Sequence, residues 1–167
     1  SSYAGVNAGF LIVVCDDPDM HSSQNEQDTR WVGIYSKLPV LEPSSPVEAK
    51  AFVAEAFKIS ETYDTPVIIR MTTRISHTKE DVTLGERITV KPVKLEPNMR
   101  KYVMVPGNAR VRHVFVEQRL AKLQKLSERK AELRDMRPSG AGRQRLVFHA
   151  PTRGLIGYQS ELLSDTR

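Results

Sequence analysis

Two short β-branched runs, Gly9–Cys15 (GFLIVVC) and Thr65–Thr73 (TPVIIRMTT), frame the best helix start of the chain, and this alternation most constrains the fold. Between them Ser45, Pro46 and Glu48 supply, in order, an N-cap, a first-turn proline and a capping-box acid. Phe52, Ala56, Ile59 and Tyr63 then fall on one helical face, with Val53 and Phe57 widening the stripe. Leu38–Leu41 is a further strand candidate and Ile88–Val90 a candidate edge strand. Strand, polar loop, strand, helix, strand is the order that builds an α/β layer with a mainly parallel sheet. The predicted class is therefore α/β, a partial parallel sheet with flanking helices. The unbroken apolar character of Gly9–Cys15 predicts a strand buried on both faces, with Cys15 a buried, inert thiol.

Where that first run ends, Asp16, Asp17 and Pro18 turn the chain out of the sheet, and a polar stretch, HSSQNEQDTR, follows. Ser22 or Ser23 is the expected cap of a helix there, since Glu26 stands three residues after Ser23. Ligands of parallel sheets gather beyond the carboxyl ends of the strands, which is where this loop would stand. Carboxylates, hydroxyls and carboxamides at Asp17, His21, Ser22, Ser23, Gln24, Asn25 and Glu26 could orient a polar ligand, with His21 the group that titrates near neutral pH. The same residue types also serve simply as caps and turns. His77, His113 and His149 have no partner at metal-ligand spacing, and no metal site is expected.

Residues 1–90 form the expected α/β part. Residues 91–113, with three prolines and many charges, are expected to be an extended connector. Residues 114–136 are expected to be helical, since Val114 to Asp135 holds no proline or glycine. Val116, Leu120 and Leu123 keep one stripe, but Leu126 and Leu133 continue it out of phase, as two joined halves would. In the last part, 137–167, Arg137–Gly142 is a turn by composition, Arg145–Ala150 a strand, and Pro151-Thr152 leads into a final short helix.

Charge follows the same division. Residues 1–90 hold 8 Lys+Arg against 13 Asp+Glu, whereas residues 91–167 hold 17 against 7. Such asymmetry points to an anionic partner for the second half, or to solvated helix faces such as Lys122–Arg134. With one cysteine among 167 residues, an internal disulfide and an iron–sulfur cluster held by this chain are both excluded. No apolar run approaches a membrane span and no signal-peptide pattern opens the chain, so it is expected to be cytoplasmic.

The string DDPDMHSSQNEQDTR (Asp16–Arg30), continued by LPVLEPSSPVEAKAFVAEAF and DTPVIIRMTTRISHT, resembles the alpha subunit of indolepyruvate ferredoxin oxidoreductases over about residues 1–123. The resemblance implies part of the pyrimidine-side domain of a thiamine diphosphate enzyme. Such an enzyme decarboxylates an aryl 2-oxoacid, passes electrons through iron–sulfur clusters to ferredoxin and transfers the acyl group to coenzyme A. It also implies Mg²⁺, a beta subunit and ferredoxin as partners, and places the Asp17–Asp28 loop near the cofactor or a domain interface. One departure is Asp19, where the family usually has glycine. The family's activating glutamate lies before Ser1, and neither a GDG-like motif nor a C-x-x-C run is present, so catalysis by this chain alone is not expected.

A second string, RKAELRDMRPSGAGRQRLVFHAPTRGLIGYQSELLSDTR (Arg129–Arg167), resembles the carboxy-terminal part of TypA/BipA ribosome-associated GTPases from about Leu126 onward. It implies a partial ferredoxin-like α+β segment and ribosome association, with Arg143, Arg145 and Arg153 as candidates for rRNA phosphate contacts. No G-x-x-x-x-G-K-[ST] loop is present. The expected seam lies between Val116 and Lys130, inside the helical stretch, and the ends of the chain are those expected of a fragment. Three functions follow as alternatives: a piece of an oxidoreductase, an RNA- or ribosome-binding module, or a chimera with no activity of its own.

Overall fold

The computed structural model describes residues 1–87, 89–90, 92, 94–127, 132–138 and 144–149, the side chains from 127 onward excepted. Contacts divide the chain into two compact units, Ser1–Leu120 and Ala121–Arg167.

The first unit is built on a three-stranded parallel sheet. Its strands are β1 (Leu11–Asp16), β2 (Val40–Leu41) and β3 (Val67–Thr72), in the order β1-β3-β2. β3 is central, with Leu11 level with Val67, Val14 with Arg70 and Val40 with Ile68. Val67, Ile68 and Ile69 are all but fully buried, each burial contributing about 1.5–3 kcal/mol over exposure. Helix α1 (Arg30–Ser36) follows the polar loop, and helix α2 (Pro46–Tyr63) links β2 to β3.

Alternation along the strands assigns the two faces. Ile12, Val14 and Asp16 share a face with Ile68, Arg70 and Val40. Helix α1 lies there, because a Cβ on Gly33 would stand 2.2 Å from Val40 Cγ2. Gly9, in line with Leu11, Val13 and Cys15, meets Phe57 of α2, which places α2 on the opposite face. Helix α2 starts as the sequence requires: Ser45 Oγ accepts from the Glu48 amide at 3.2 Å. Glu48 closes back one residue further than a capping box does, on the amide and hydroxyl of Ser44 at 2.6 and 2.8 Å. Phe52, Ala56 and Ile59 are buried as expected, while Val53 and Phe57 stay half-exposed.

Four expectations need correction in this unit. β1 is an edge strand rather than one buried on both faces: Val13 is 62% exposed and Cys15 is exposed, because β3 takes the centre. No helix starts at Ser22 or Ser23; a single 3₁₀ turn (Pro18–Met20) and bends occupy the loop, and α1 begins at Arg30. Residues 89–90 are in no strand, and Ile88 lies outside the described residues. The stretch 91–113 is not extended throughout: α4 (Met99–Tyr102) and the start of α5 (Pro106–Ser127) fall inside it. Pro106 explains the earlier start, since a first-turn proline has its φ preset and lacks only an amide that would be unpaired anyway. A short helix α3 (Thr73–His77) caps β3.

In the second unit β4 (Glu132–Pro138) and β5 (Gln144–His149) pair antiparallel, with Glu132 opposite His149 and an irregularity between Leu133 and Asp135. The helix expected to reach residue 136 thus ends at Ser127, and 132–138 is strand: pairing overrides local helical composition. Arg137 and Pro138 belong to that strand rather than to a turn. The seam residues 128–130 and the final helix expected after Pro151 lie outside the described residues.

Candidate functional site

The carboxyl end of the sheet carries two adjacent buried acids. Asp16, the last residue of β1, is 3% exposed, and Asp17, just beyond it, is 4% exposed. Each carboxylate is saturated by protein donors. Asp16 accepts from the Thr29 amide at 2.7 Å, from the Thr29 hydroxyl and from Arg70 Nε at 2.5 Å. Asp17 accepts the backbone amides of His21, Ser22 and Ser23 at 3.1, 2.7 and 2.7 Å, and the Thr73 hydroxyl at 2.7 Å. Asp17 thus fixes the backbone at the expected cap positions in bends, where no helix starts.

Arg70 is the second pillar. It stands in β3 at 2% exposure and reaches Asp16 and the Glu42 carboxylate, with Asp28 at 3.9 Å. Asp28 in turn holds Arg30 by two bonds of 2.8 and 2.7 Å. Buried charges persist only when paired and hydrogen-bonded, and this chain of three acids and two guanidinia meets both conditions. Burial pushes the Asp16 carboxyl up, but the Thr29 hydroxyl and amide and Arg70 together hold it below its ordinary range. For Asp17 the Ser22 amide, the Thr73 hydroxyl and the Ser23 amide hold the carboxyl far below its ordinary range. Both are carboxylates at neutral pH and neither is placed to donate or take up a proton.

Of the residues expected to face a ligand, Asp17 is buried as the anchor, and His21, Ser22 and Ser23 are joined to it through their amides. His21, Ser22, Gln24, Asn25 and Glu26 are exposed, and Ser23 is half-buried. The loop is therefore a ring of outward polar groups on an acidic hub. Its other supports, Thr29, Glu42, Arg70 and Thr73, were not expected. The signal for Arg70 was a lone charge inside an apolar run, VIIRMT, which requires a counter-ion.

A second acid-centred cluster lies at the C-terminus of α2. Asp64, in the left-handed region at φ 52, accepts the Val6 amide and Lys101 Nζ, both at 2.8 Å, and Arg112 at 2.9 Å. Arg119 donates to the Asp64 carbonyl at 2.8 Å and to the Ser2 carbonyl at 2.9 Å. Tyr3 stacks on His113, with ring centroids 5.8 Å apart. Burial pushes the Asp64 carboxyl up, and Lys101, the Val6 amide and Arg112 outweigh it and leave it lowered.

The Mg²⁺ implied by the resemblance would compete, at Asp16 and Asp17, with donors already in place. All four carboxylate oxygens of Asp16 and Asp17 already accept protein donors. Among the described residues no group of three His, Cys, Asp or Glu is placed to hold a metal ion. Of the basic residues expected to meet rRNA, Arg143 and Arg153 lie outside the described residues. Arg145 is described only by its backbone place in β5, opposite Arg137.

Among the described residues no helix is long and apolar enough to cross a membrane. Comparison with known proteins gives a two-part result. The chain is 47% identical over 127 residues to indolepyruvate oxidoreductase subunit IorA of Pyrococcus horikoshii, covering 72% of this chain and 20% of the relative. It is 41% identical over 129 residues to IorA of Methanothermobacter marburgensis, covering 76% and 21%. It spans about one fifth of the length of these relatives. A shorter similarity, 50% over 44 residues, links it to the large ribosomal subunit assembly factor BipA of Salmonella typhimurium, covering 26% of this chain and 7% of the relative. The family model for the elongation factor G C-terminus matches residues 93–167. That match begins well before the Leu126 expected from the sequence, and the family model and the IorA similarity together exceed the length of the chain, so they overlap. No solved structure matches. The acid-anchored loop and its parallel sheet thus belong to a chain that joins a segment similar to subunit IorA to a segment similar to BipA and to the elongation factor G C-terminus.

Proposed function

We propose that this chain supplies the pyrimidine-side loop of a thiamine diphosphate-dependent indolepyruvate:ferredoxin oxidoreductase and acts only when other polypeptide completes the site. The observation that carries this reading is the Asp17-anchored loop at the carboxyl end of a parallel sheet, in a chain that is 47% identical to IorA over 127 residues. Asp16 and Asp17 do no proton transfer in it. They fix the backbone of residues 21–23 and so hold Ser22, Gln24, Asn25 and Glu26 outward, toward a cofactor or the domain that binds it. Beyond this loop α1 presents Trp31 and Tyr35 at 71% and 91% exposure, an apolar surface for that completing polypeptide. In this reading the other polypeptide brings the activating glutamate, the pyrophosphate-side domain with its Mg²⁺ and the iron–sulfur clusters, and the beta subunit and ferredoxin are the partners, in the cytoplasm.

Titration calorimetry with thiamine diphosphate and Mg²⁺ tests the reading. The expected result is no binding to the chain alone, and binding once a pyrophosphate-side domain is added, with loss of that binding in Asp17→Ala. A mixture that binds no cofactor, or binds it equally well with Asp17→Ala, overturns it.

A second reading, RNA or ribosome binding, rests on the match of 93–167 to the elongation factor G C-terminus and on 17 Lys+Arg against 7 Asp+Glu in residues 91–167. RNA affinity that falls steeply with added salt is its mark. A chain that shows neither binding is a chimera without activity of its own.

A further inference from the structure

We infer that Arg70 is a positioning residue of the candidate site: through Asp16 on one side and Glu42 on the other, it locks the loop before α1 and the turn after β2 into one frame beyond the sheet. The role rests on the reading of that loop as one wall of a cofactor site, and it names what holds the wall in place. At 2% exposure Arg70 is sealed from any ligand, so it acts only through the acids it binds.

β3 is the central strand, so a side chain on it has both β1 and β2 as neighbours. Arg70 is level with Val14 of β1, and Asp16 stands two residues on, on the same face. On the other side Leu41 is level with Ile69, so Glu42, the next residue, comes level with Arg70. The guanidinium divides its donors accordingly, with Nε donating to Asp16 at 2.5 Å and Nη1 to the Glu42 carboxylate. A planar fork with separate donors holds two acids at a fixed angle, which a single ammonium on a flexible stem does not.

Each acid carries a different part of the site. Asp16 also takes the amide and hydroxyl of Thr29, the residue on which α1 starts, and so fixes the far end of the loop. Glu42 opens the turn in which Pro43 is buried and Ser44 and Ser45 lead into α2. The near end of the loop hangs from the same strand end, since Thr73, just after β3, donates to Asp17 at 2.7 Å. Among the described residues, the side-chain bonds that join residues 16–30 to the turn at Glu42 all pass through Arg70. A shift of the turn is therefore passed to Thr29 by way of one guanidinium.

Hydrogen exchange of the full chain, without cofactor, tests the frame first. Glu42→Ala touches no residue of the loop, and with a side chain 38% exposed it leaves folding near wild type. It is nevertheless expected to speed exchange of the Thr29 amide by about threefold to tenfold, because the freed guanidinium no longer holds Asp16 in one place. The Ser22 and Ser23 amides, held by Asp17, keep their wild-type rates. Glu42→Gln, whose side-chain oxygen still accepts from Nη1, falls between. Calorimetry with thiamine diphosphate and Mg²⁺, on the chain joined by a pyrophosphate-side domain, then reads the consequence for the site. Arg70→Lys keeps the charge but not the fork, and is expected to weaken that binding by about tenfold or more. Glu42→Ala weakens it less, and the two together lose no more than Arg70→Lys alone, since both act through one guanidinium. Thr29 exchange that is unchanged in Glu42→Ala overturns the inference, as does an assembly whose cofactor affinity is indifferent to Arg70→Lys. A wild-type assembly that binds no cofactor overturns the reading of the loop as a cofactor wall and the positioning role with it, and Thr29 exchange, measured without cofactor, tells the two failures apart.

Discussion

Asp17 and Asp64 are two lowered carboxylates in the same unit, each accepting at least three donors, yet they organise the chain on different scales. The amides bound by Asp17 come from four to six residues away, with only Thr73 distant. The donors on Asp64 are the Val6 amide, the Lys101 ammonium and the Arg112 guanidinium, which tie the first residues of the chain to α4 and α5. An acid with local partners shapes one loop; an acid with distant partners holds elements together. Asp16 stands between the two cases, since Thr29 is local and Arg70 lies across the sheet.

The sharpest way to break this contrast is at Arg70. Replacing it with methionine strands Asp16 in a buried site, and the loss of one partner of a buried pair costs about 3–5 kcal/mol. Urea denaturation should show that loss, and Asp16→Leu with Arg70→Met should recover much of it, because a packed apolar pair carries no desolvation cost. If the double variant is as unstable as the single one, the pair does more than satisfy its own charges.

A smaller effect separates the two scales. Asp64→Asn keeps a residue tolerant of the left-handed backbone but weakens its charge-assisted bonds, at a cost of about 1–2 kcal/mol because the side chain is 40% exposed. The expected signature is faster proteolysis before Gly9 with the 17–29 loop still protected. Asp17→Ala should do the reverse, opening the loop to cleavage while Val6 stays held. Cleavage at both places in both variants would merge the two regions into one cooperative unit.

Acid offers a graded version of the same comparison. Asp16, Asp17 and Asp64 have folded-state pKa values below their unfolded ones, so the unfolded chain binds more protons as pH falls. Their stabilisation is complete above the unfolded value, about 3.9, and is lost as pH drops through each folded value. Asp17 is lowered furthest, so the Val6 amide should begin to exchange at a higher pH than the Ser22 and Ser23 amides. Hydrogen exchange measured from neutral pH downward reads that order directly.

What the sequence disclosed follows the same division between local and distant. The cap at Ser45, the stripe Phe52-Ala56-Ile59 and the strand at Val67–Thr72 are specified by near neighbours, and they appear as expected. The loop was legible as a cluster at the end of a strand, but not its hub: an aspartate that binds amides up to six residues on competes with a serine cap, and composition does not decide between them. The Arg70–Asp16 pair joins residues 54 apart, and only the misplaced charge in an apolar run hinted at it. The exposure of Val13 was hidden because a short apolar run reads alike whether it lies at the centre of a sheet or at its edge.

The smallest test lies at the tip of the loop. Asp19 and Met20 hold φ of 65 and 53, two consecutive residues in the left-handed region, just before the amides that Asp17 collects. Left-handed backbone costs an ordinary L-residue about 1–2 kcal/mol, and aspartate pays somewhat less, because its short side chain bonds locally. Glycine at this position pays no such strain but loses more freedom on folding, by about 0.5–1 kcal/mol. The two terms nearly cancel, so Asp19→Gly should stabilise the unit by no more than about 0.5 kcal/mol, a shift of a degree or two in Tm. Its larger consequence is electrostatic: it removes one negative charge from the exposed rim of a loop whose hub already carries two. If the loop sits beside a diphosphate, Asp19→Gly should tighten cofactor binding in the completed assembly far more than it raises Tm. An equal, small change in both would make Asp19 a turn residue only and would place the diphosphate away from this tip.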